Sequence, residues 1–169
     1  MNTEKFDLII KLEEEDTPQE YFEEIVVEHM EDRLENNDSQ YFIKESEYFN
    51  IFMVELNENE IKTALKIANA SQPTNLEMIP IESVVHTQPE NIRKKIIDIS
   101  KDRIKDGERF IIECNIRGRY IKTREEFIKS ITRELIKLNG KPDENNPDWV
   151  IHIEVLGENT GISVLKTNL

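Results

Sequence analysis

Cysteine is almost missing from this chain: Cys114 is the single one in 169 residues. One thiol excludes an internal disulfide framework and any zinc site built from several cysteines. Long apolar runs are missing too. No stretch approaches the roughly 18 residues that a membrane-spanning helix needs, and the N-terminus MNTEKFDLII turns polar and acidic at once, unlike a secretory signal. There is no internal repeat and no low-complexity segment. The sequence also holds no phosphate-binding P-loop, no nucleophile elbow and no dinucleotide fingerprint. Its three histidines, His29, His86 and His152, are far apart and lack metal-ligand spacing. These absences predict a cytoplasmic protein with no membrane segment, no cofactor and no metal, and they give no support to an enzyme.

What is present is charge. Of the side chains, 34% are charged and 37% hydrophobic, with 35 acidic against 22 basic groups and a net charge of −13. The length fits one ordinary domain or two small ones. The average conceals a division. Residues 1 to 80 carry 6 basic and 20 acidic side chains, a net of −14, whereas residues 91 to 141 carry 15 basic and 8 acidic ones, a net of +7. Such asymmetry between halves points to nucleic-acid contact or to two surfaces with different partners, against the plainer alternative of a charged, solvated exterior. A net −13 repels nucleic acid at long range, so binding would have to come from a local patch.

The pattern of apolar residues gives the elements. KFDLIIK (5–11) alternates as a strand, and the helix of TPQEYFEEIVVEHMEDRLEN opens on Thr17, Pro18 and Glu20 as a capping box. QYFIKE (40–45) and YFNIFMVEL (48–56) are two strands joined tightly around Ser46. A second helix follows behind the capping pair Asn57 and Glu60, then an extended piece over 76–85. Strand, helix, strand, strand, helix, strand is the split βαβ order of ferredoxin-like domains. With SQPT (71–74) and Pro80 as boundary signals, the first domain is expected over 1–77 and a second over 78–169. In the second, a helix behind Thr87 and Pro89 is expected to end at Gly107, with Ile92, Ile96, Ile99 and Ile104 on its apolar side. RFIIECNI (109–116) reads as a strand, and the next helix has Thr123 and Glu126 as a capping box, an apolar stripe of Phe127, Ile131, Leu135 and Leu138, and Gly140 as terminator. NNPD (145–148) is turn chemistry, and WVIHIEVL (149–156) and GISVLK (161–166) close the chain as strands.

One stretch runs against the acidic average. In FIIECNIRGRYIKTREEF (110–127), Arg117, Arg119, Lys122 and Arg124 crowd between a strand end and a helix start, where backbone N–H groups and the helix dipole suit a phosphate. Gly118 would let another backbone come close. Lys129, Arg133 and Lys137 continue at i, i+4 and i+8 along the helix. The competing reading is a solvated basic face paired with Glu125, Glu126 and Glu134. Tyr120 fits either a stacking platform for a base or a core tyrosine. No recognition helix for duplex DNA is visible, whereas RNA is read by shape, phosphate and stacking. Cys114 shares an apolar strand face and reads as a core thiol. His152 and Glu154 share a strand face as acid–base candidates, a reading outweighed by a structural one.

The joint order of these segments resembles a THUMP domain. The features are a strand ending in Arg-Gly-Arg, a capped helix, an Asn-Pro-Asp turn, and the terminal strands with IHIEV and ISVL. IPIESVVHTQPENIRKKI resembles the entry into such domains, and the preceding ferredoxin-like unit resembles their usual N-terminal companion. The resemblance implies an α+β chain, ferredoxin-like and then THUMP, that binds the acceptor end of tRNA through Arg117, Gly118, Arg119, Tyr120, Lys122, Arg124, Lys129, Arg133 and Lys137. The catalytic domain that follows in THUMP-containing synthases and methyltransferases is not expected here. The resemblance therefore implies a non-catalytic adaptor that works beside a separate tRNA-modifying enzyme, a tRNA cytidine acetyltransferase above all. A tRNA-thiolation or methylation subunit, or a protein-interaction module without an RNA role, are the alternatives. The acidic first half is free for a basic partner surface, or serves only to keep the domain dissolved.

Overall fold

The computed structural model describes residues 2–13, 21–34, 40–57, 61–69 and 76–167. The first capping box and SQPT lie outside these residues, and of the Asn57–Glu60 pair only Asn57 is described. The chain divides into two compact units, residues 5–81 and residues 82–169 together with 1–4.

The first unit runs β1 (Leu8–Leu12), α1 (Phe22–Leu34), β2 (Tyr41–Glu45), β3 (Ile51–Leu56), α2 (Ile61–Asn69) and β4 (Leu76–Pro80). Its sheet order is β2-β3-β1-β4 with every neighbour antiparallel, the ferredoxin-like arrangement that the element order predicts. Leu8, Ile10 and Leu12 of β1 pack with Val26 and Met30 of α1 and Ala64 and Ile67 of α2, which closes one sheet face into a core. The β2–β3 link is an ordered loop. The Ser46 hydroxyl lies 2.7 Å from the carbonyl of Ile51 and accepts a 3.1 Å bond from the amide of Tyr48, and Asn50 takes a left-handed turn at φ 57.

The second unit contains β5 (Ser83–His86), α3 (Pro89–Ser100), β6 (Arg109–Arg117), α4 (Arg124–Lys137), β7 (Lys141–Pro142), β8 (Trp149–Leu156) and β9 (Asn159–Lys166), in sheet order β5-β9-β8-β6-β7. Two helices cover the sheet. Ile92 and Ile96 of α3 and Phe127, Ile131 and Leu135 of α4 meet Phe110, Ile151, Ile153 and Val155, all at most 4% exposed. At about 1.5–3 kcal/mol for each large aliphatic or aromatic side chain fully removed from water, this cluster dominates the unit's stability.

Four expectations are corrected. The boundary between 77 and 78 would cut β4, which stays paired with β1 through Pro80, so the units part between Ile81 and Glu82. The extended piece 76–85 is accordingly two strands in two sheets. Helix α3 stops at Ser100 rather than Gly107, and Ile104 reaches the core from the turns that follow. At the end of α4 the left-handed residue is Asn139, at φ 68. Gly140 is needed for closeness instead, since a Cβ there would stand 3.1 Å from the Phe110 ring and 3.2 Å from the Leu135 carbonyl.

Cys114 is buried, as the alternation of β6 predicts, and burial pushes its thiol up to about 11, opposed by the charge of Arg124. A thiol held protonated is a poor nucleophile. The folded protein should therefore resist iodoacetamide at pH 8 and react only on unfolding. Because the folded value is raised, the stability this burial carries is intact below the unfolded thiol's range and is lost as pH climbs towards 11. Rapid labelling of folded protein at pH 8 would contradict the assignment.

Candidate nucleic-acid interface

The sheet of the second unit brings two helix starts together. β6 is parallel to β8, and β5 and β8 are each antiparallel to β9, so β5, β6 and β8 all run the same way. They end at one edge, where β5 leads into α3 and β6 into α4. Pro89, the first residue of α3, and Thr123, the N-cap of α4, line the same groove of about 400 Å³ with Tyr120, Ile121, Lys122, Glu126, Phe127 and Ser130. Neither cap residue closes its own helix. Gln88 and Thr123 have extended backbones, but their side chains make no capping bond, so the expected Thr123–Glu126 box is present in position and not in bonding. The first-turn N–H groups thus remain for another acceptor, with the positive ends of two dipoles behind them. Glu90, Glu125 and Glu126 in those first turns offset part of this field.

The loop between β6 and α4 supplies the cations, and the structure sorts them. Arg117 ends β6 and turns inward: its Nη1 donates to Glu154 Oε2 at 2.9 Å, and its side chain is only 19% exposed. Glu154 is fully buried and also accepts from Asn115 Nδ2 at 3.0 Å. Gly118 turns the chain with φ 104, in the region glycine occupies without strain. Arg119, Tyr120 and Lys122 then stand on the surface. Tyr120 is 50% exposed, which decides against the core reading, and its hydroxyl donates to Glu158 at 3.3 Å in the β8–β9 turn. Arg124 is exposed but spends one N–H on the carbonyl of Cys114 at 3.2 Å.

Lys129, Arg133 and Lys137 are exposed along α4. At a rise of about 1.5 Å per residue, Lys137 lies roughly 20 Å along the helix from Thr123, too far to share a ligand group with the loop. It is also paired with Glu134 at 3.0 Å, as the solvated-face reading expects. Of the loop's cations, Lys122 lines the groove and Arg119 stands exposed one residue before Tyr120 of its wall, with Lys129 and Arg133 extending the charge along α4. Of the acid–base candidates, Glu154 is committed to Arg117 and Asn115, and His152 Nδ1 lies 3.6 Å from Glu113 Oε2.

Three contributors were not legible in the sequence: Pro89 in the groove wall, Glu158 against Tyr120, and Glu154 beneath Arg117. Glu154 and Glu158 are brought in by the β6–β8 register, which pairs Asn115 with Glu154 and Arg117 with Leu156, and Pro89 by the helix that follows β5 at the same edge. Among the described residues, no group of three His, Cys, Asp or Glu side chains is placed to hold a metal ion, and no helix is long and apolar enough to cross a membrane.

A ferredoxin-like unit followed by a mixed five-stranded sheet with two helices, carrying a basic loop where both helices begin, defines an α+β class of known architecture. Residues 86–165 form a THUMP domain. The fold is similar to that of PH1313 from Pyrococcus horikoshii, with a TM-score of 0.69 and 18% identity over 96% of this chain and 54% of that one. A 4-thiouridine synthetase solved with RNA and ATP gives a TM-score of 0.62 at 17% identity, over 95% of this chain and 41% of that one. TrmN from Thermus thermophilus gives 0.54 at 12%, over 93% and 44%. In sequence, the chain is 27% identical over 150 residues to the uncharacterized protein MJ0421 of Methanocaldococcus jannaschii, which covers 86% of this chain and 39% of that protein. The chain thus spans about half or less of each of these proteins.

Proposed function

We propose that this protein binds tRNA through the β6–α4 loop and presents its acceptor end to a separate tRNA-modifying enzyme. The observation that carries the reading is Lys122 and the half-exposed Tyr120 in the groove that joins two uncapped helix starts, with exposed Arg119 in the same loop, within a THUMP domain. Lysine and arginine neutralise phosphates, the helix N–H groups donate to an oxyanion, and Tyr120 offers a ring for an unpaired base. A groove of this kind suits a strand end with splayed bases better than duplex DNA, whose grooves call for a reading helix or ribbon. The structural likeness to a 4-thiouridine synthetase bound to RNA supports RNA as the ligand.

Among modification systems, cytidine acetylation by a partner acetyltransferase is the one we favour, with this chain as the non-catalytic tRNA-binding part. The likeness to a 4-thiouridine synthetase favours, as a second reading, an RNA-binding part of a thiolation system, with a methylation system as the further alternative. Two measurements separate the possibilities. Binding of intact tRNA should exceed that of tRNA trimmed of its unpaired 3′ end, and equal binding would refute acceptor-end recognition. Reconstitution with tRNA, acetyl donor and a candidate acetyltransferase should show activity that depends on this protein. Activity that is unchanged by its omission, or modification by this protein alone, would overturn the adaptor role.

A further inference from the structure

The first unit carries a second groove, of about 330 Å³, between the start of α1 and the β2–β3 loop. Its floor is apolar, made by Phe22 and Phe52, both buried. Phe49 stands on its wall, 47% exposed, with its ring 5.5 Å from that of Phe22. Around this aromatic lining stand the carboxylates of Glu23, Glu45 and Glu47, all exposed. Among the described residues no lysine or arginine pairs with any of the three, and the neighbouring Lys44 is held by Glu55 at 3.3 Å. Glu23 also faces the dipole of its own helix, which leaves Glu45 and Glu47 as the stronger attraction for an incoming cation.

The wall is fixed before any ligand arrives. Ser46 bridges the loop through its hydroxyl, Asn50 holds the left-handed turn, and the Asn50 amide donates to the carbonyl of Leu12, which ties the loop to β1. An aromatic ring packed on Phe22, beside carboxylates that pair with no cation among the described residues, in a half-chain of net −14, is complementary to a long side chain with a cationic head. RNA is excluded from the same place by the same charge.

We infer that this groove docks a basic peptide segment of a protein partner, with one arginine or lysine side chain lying over Phe49 and its head between Glu45 and Glu47. Arginine suits it better than lysine, because a planar guanidinium stacks on the ring while it meets both carboxylates. The groove and the β6–α4 loop belong to different units, so peptide docking and the proposed RNA role fail independently.

The test titrates the full chain with a ten-residue peptide alternating Arg and Gly, and with its Lys and Glu counterparts. The Arg peptide is expected to bind with an affinity that falls as salt rises, the Lys peptide more weakly, and the Glu peptide not at all. Glu45→Gln with Glu47→Gln, and separately Phe49→Ala, should each weaken the Arg peptide by about tenfold while tRNA affinity and the thermal midpoint hold. Neutralising Glu90 and Glu125 instead should leave peptide binding unchanged. The proposal is overturned if that control weakens binding as much as the groove variants, since the attraction is then diffuse. It is equally overturned if Phe49→Ala binds the Arg peptide as well as the unaltered protein does.

Discussion

Replacing Arg119 and Lys122 together by alanine should lower tRNA affinity and flatten its salt dependence while the fold is kept. Each phosphate neutralised contributes about 0.7 to 0.9 to the slope of log affinity against log salt, so losing both cations should remove roughly 1.4 to 1.8 from it. Both side chains are on the surface and neither is needed by the core, so the urea midpoint should move little. Lys137→Ala serves as the comparison. That lysine is paired with Glu134 at the far end of α4, and its loss should leave the slope nearly unchanged. A double variant with unaltered slope would remove the loop from the interface.

Arg117 should behave in the opposite way. Its partner Glu154 is fully buried, so Arg117→Ala leaves a carboxylate inside the domain without its cation, at a cost of about 3 kcal/mol or more. Glu154→Ala should cost less, because the arginine is 19% exposed and its head can swing towards water. This order of urea midpoints distinguishes an anchor from a phosphate contact. The paired change Arg117→Gln with Glu154→Gln removes both charges and keeps polar partners. It should preserve the salt slope, since the pair is neutral as it stands, whereas a direct phosphate contact would lose about one unit of slope. Equal destabilisation by the two single alanine changes, or a flattened slope in the paired variant, would return Arg117 to the RNA-facing surface.

The contrast between Arg117 and Arg119 shows where sequence reading reaches its limit. Alternation along β6 and the apolar stripe of α4 were legible because burial has a period, and Phe110, Cys114, Phe127, Ile131 and Leu135 are all buried where that period puts them. The concentration of cations between Arg117 and Arg124 was equally plain. What could not be read was which arginine faces water. That depends on the register of β6 against β8, which places Glu154 under the strand end through contacts nearly forty residues apart in the chain. Tyr120 was ambiguous for a similar reason, since its exposure is decided by a turn that begins at Gly118 and not by strand alternation. The caps illustrate a third limit. Thr123 has the residue type and position of an N-cap, yet its hydroxyl makes no capping bond, a detail of rotamer rather than of pattern.

The central claim is that the edge where β5, β6 and β8 end is the RNA-binding surface. Amide chemical shifts recorded while a tRNA acceptor minihelix is titrated in test it most directly. The shifts should concentrate at residues 118–126, in the first turn of α3 and at Glu158, with residues 5–81 almost unmoved. Shifts confined to residues 5–81, or spread evenly over α4 out to Lys137 with none in the loop, would contradict it.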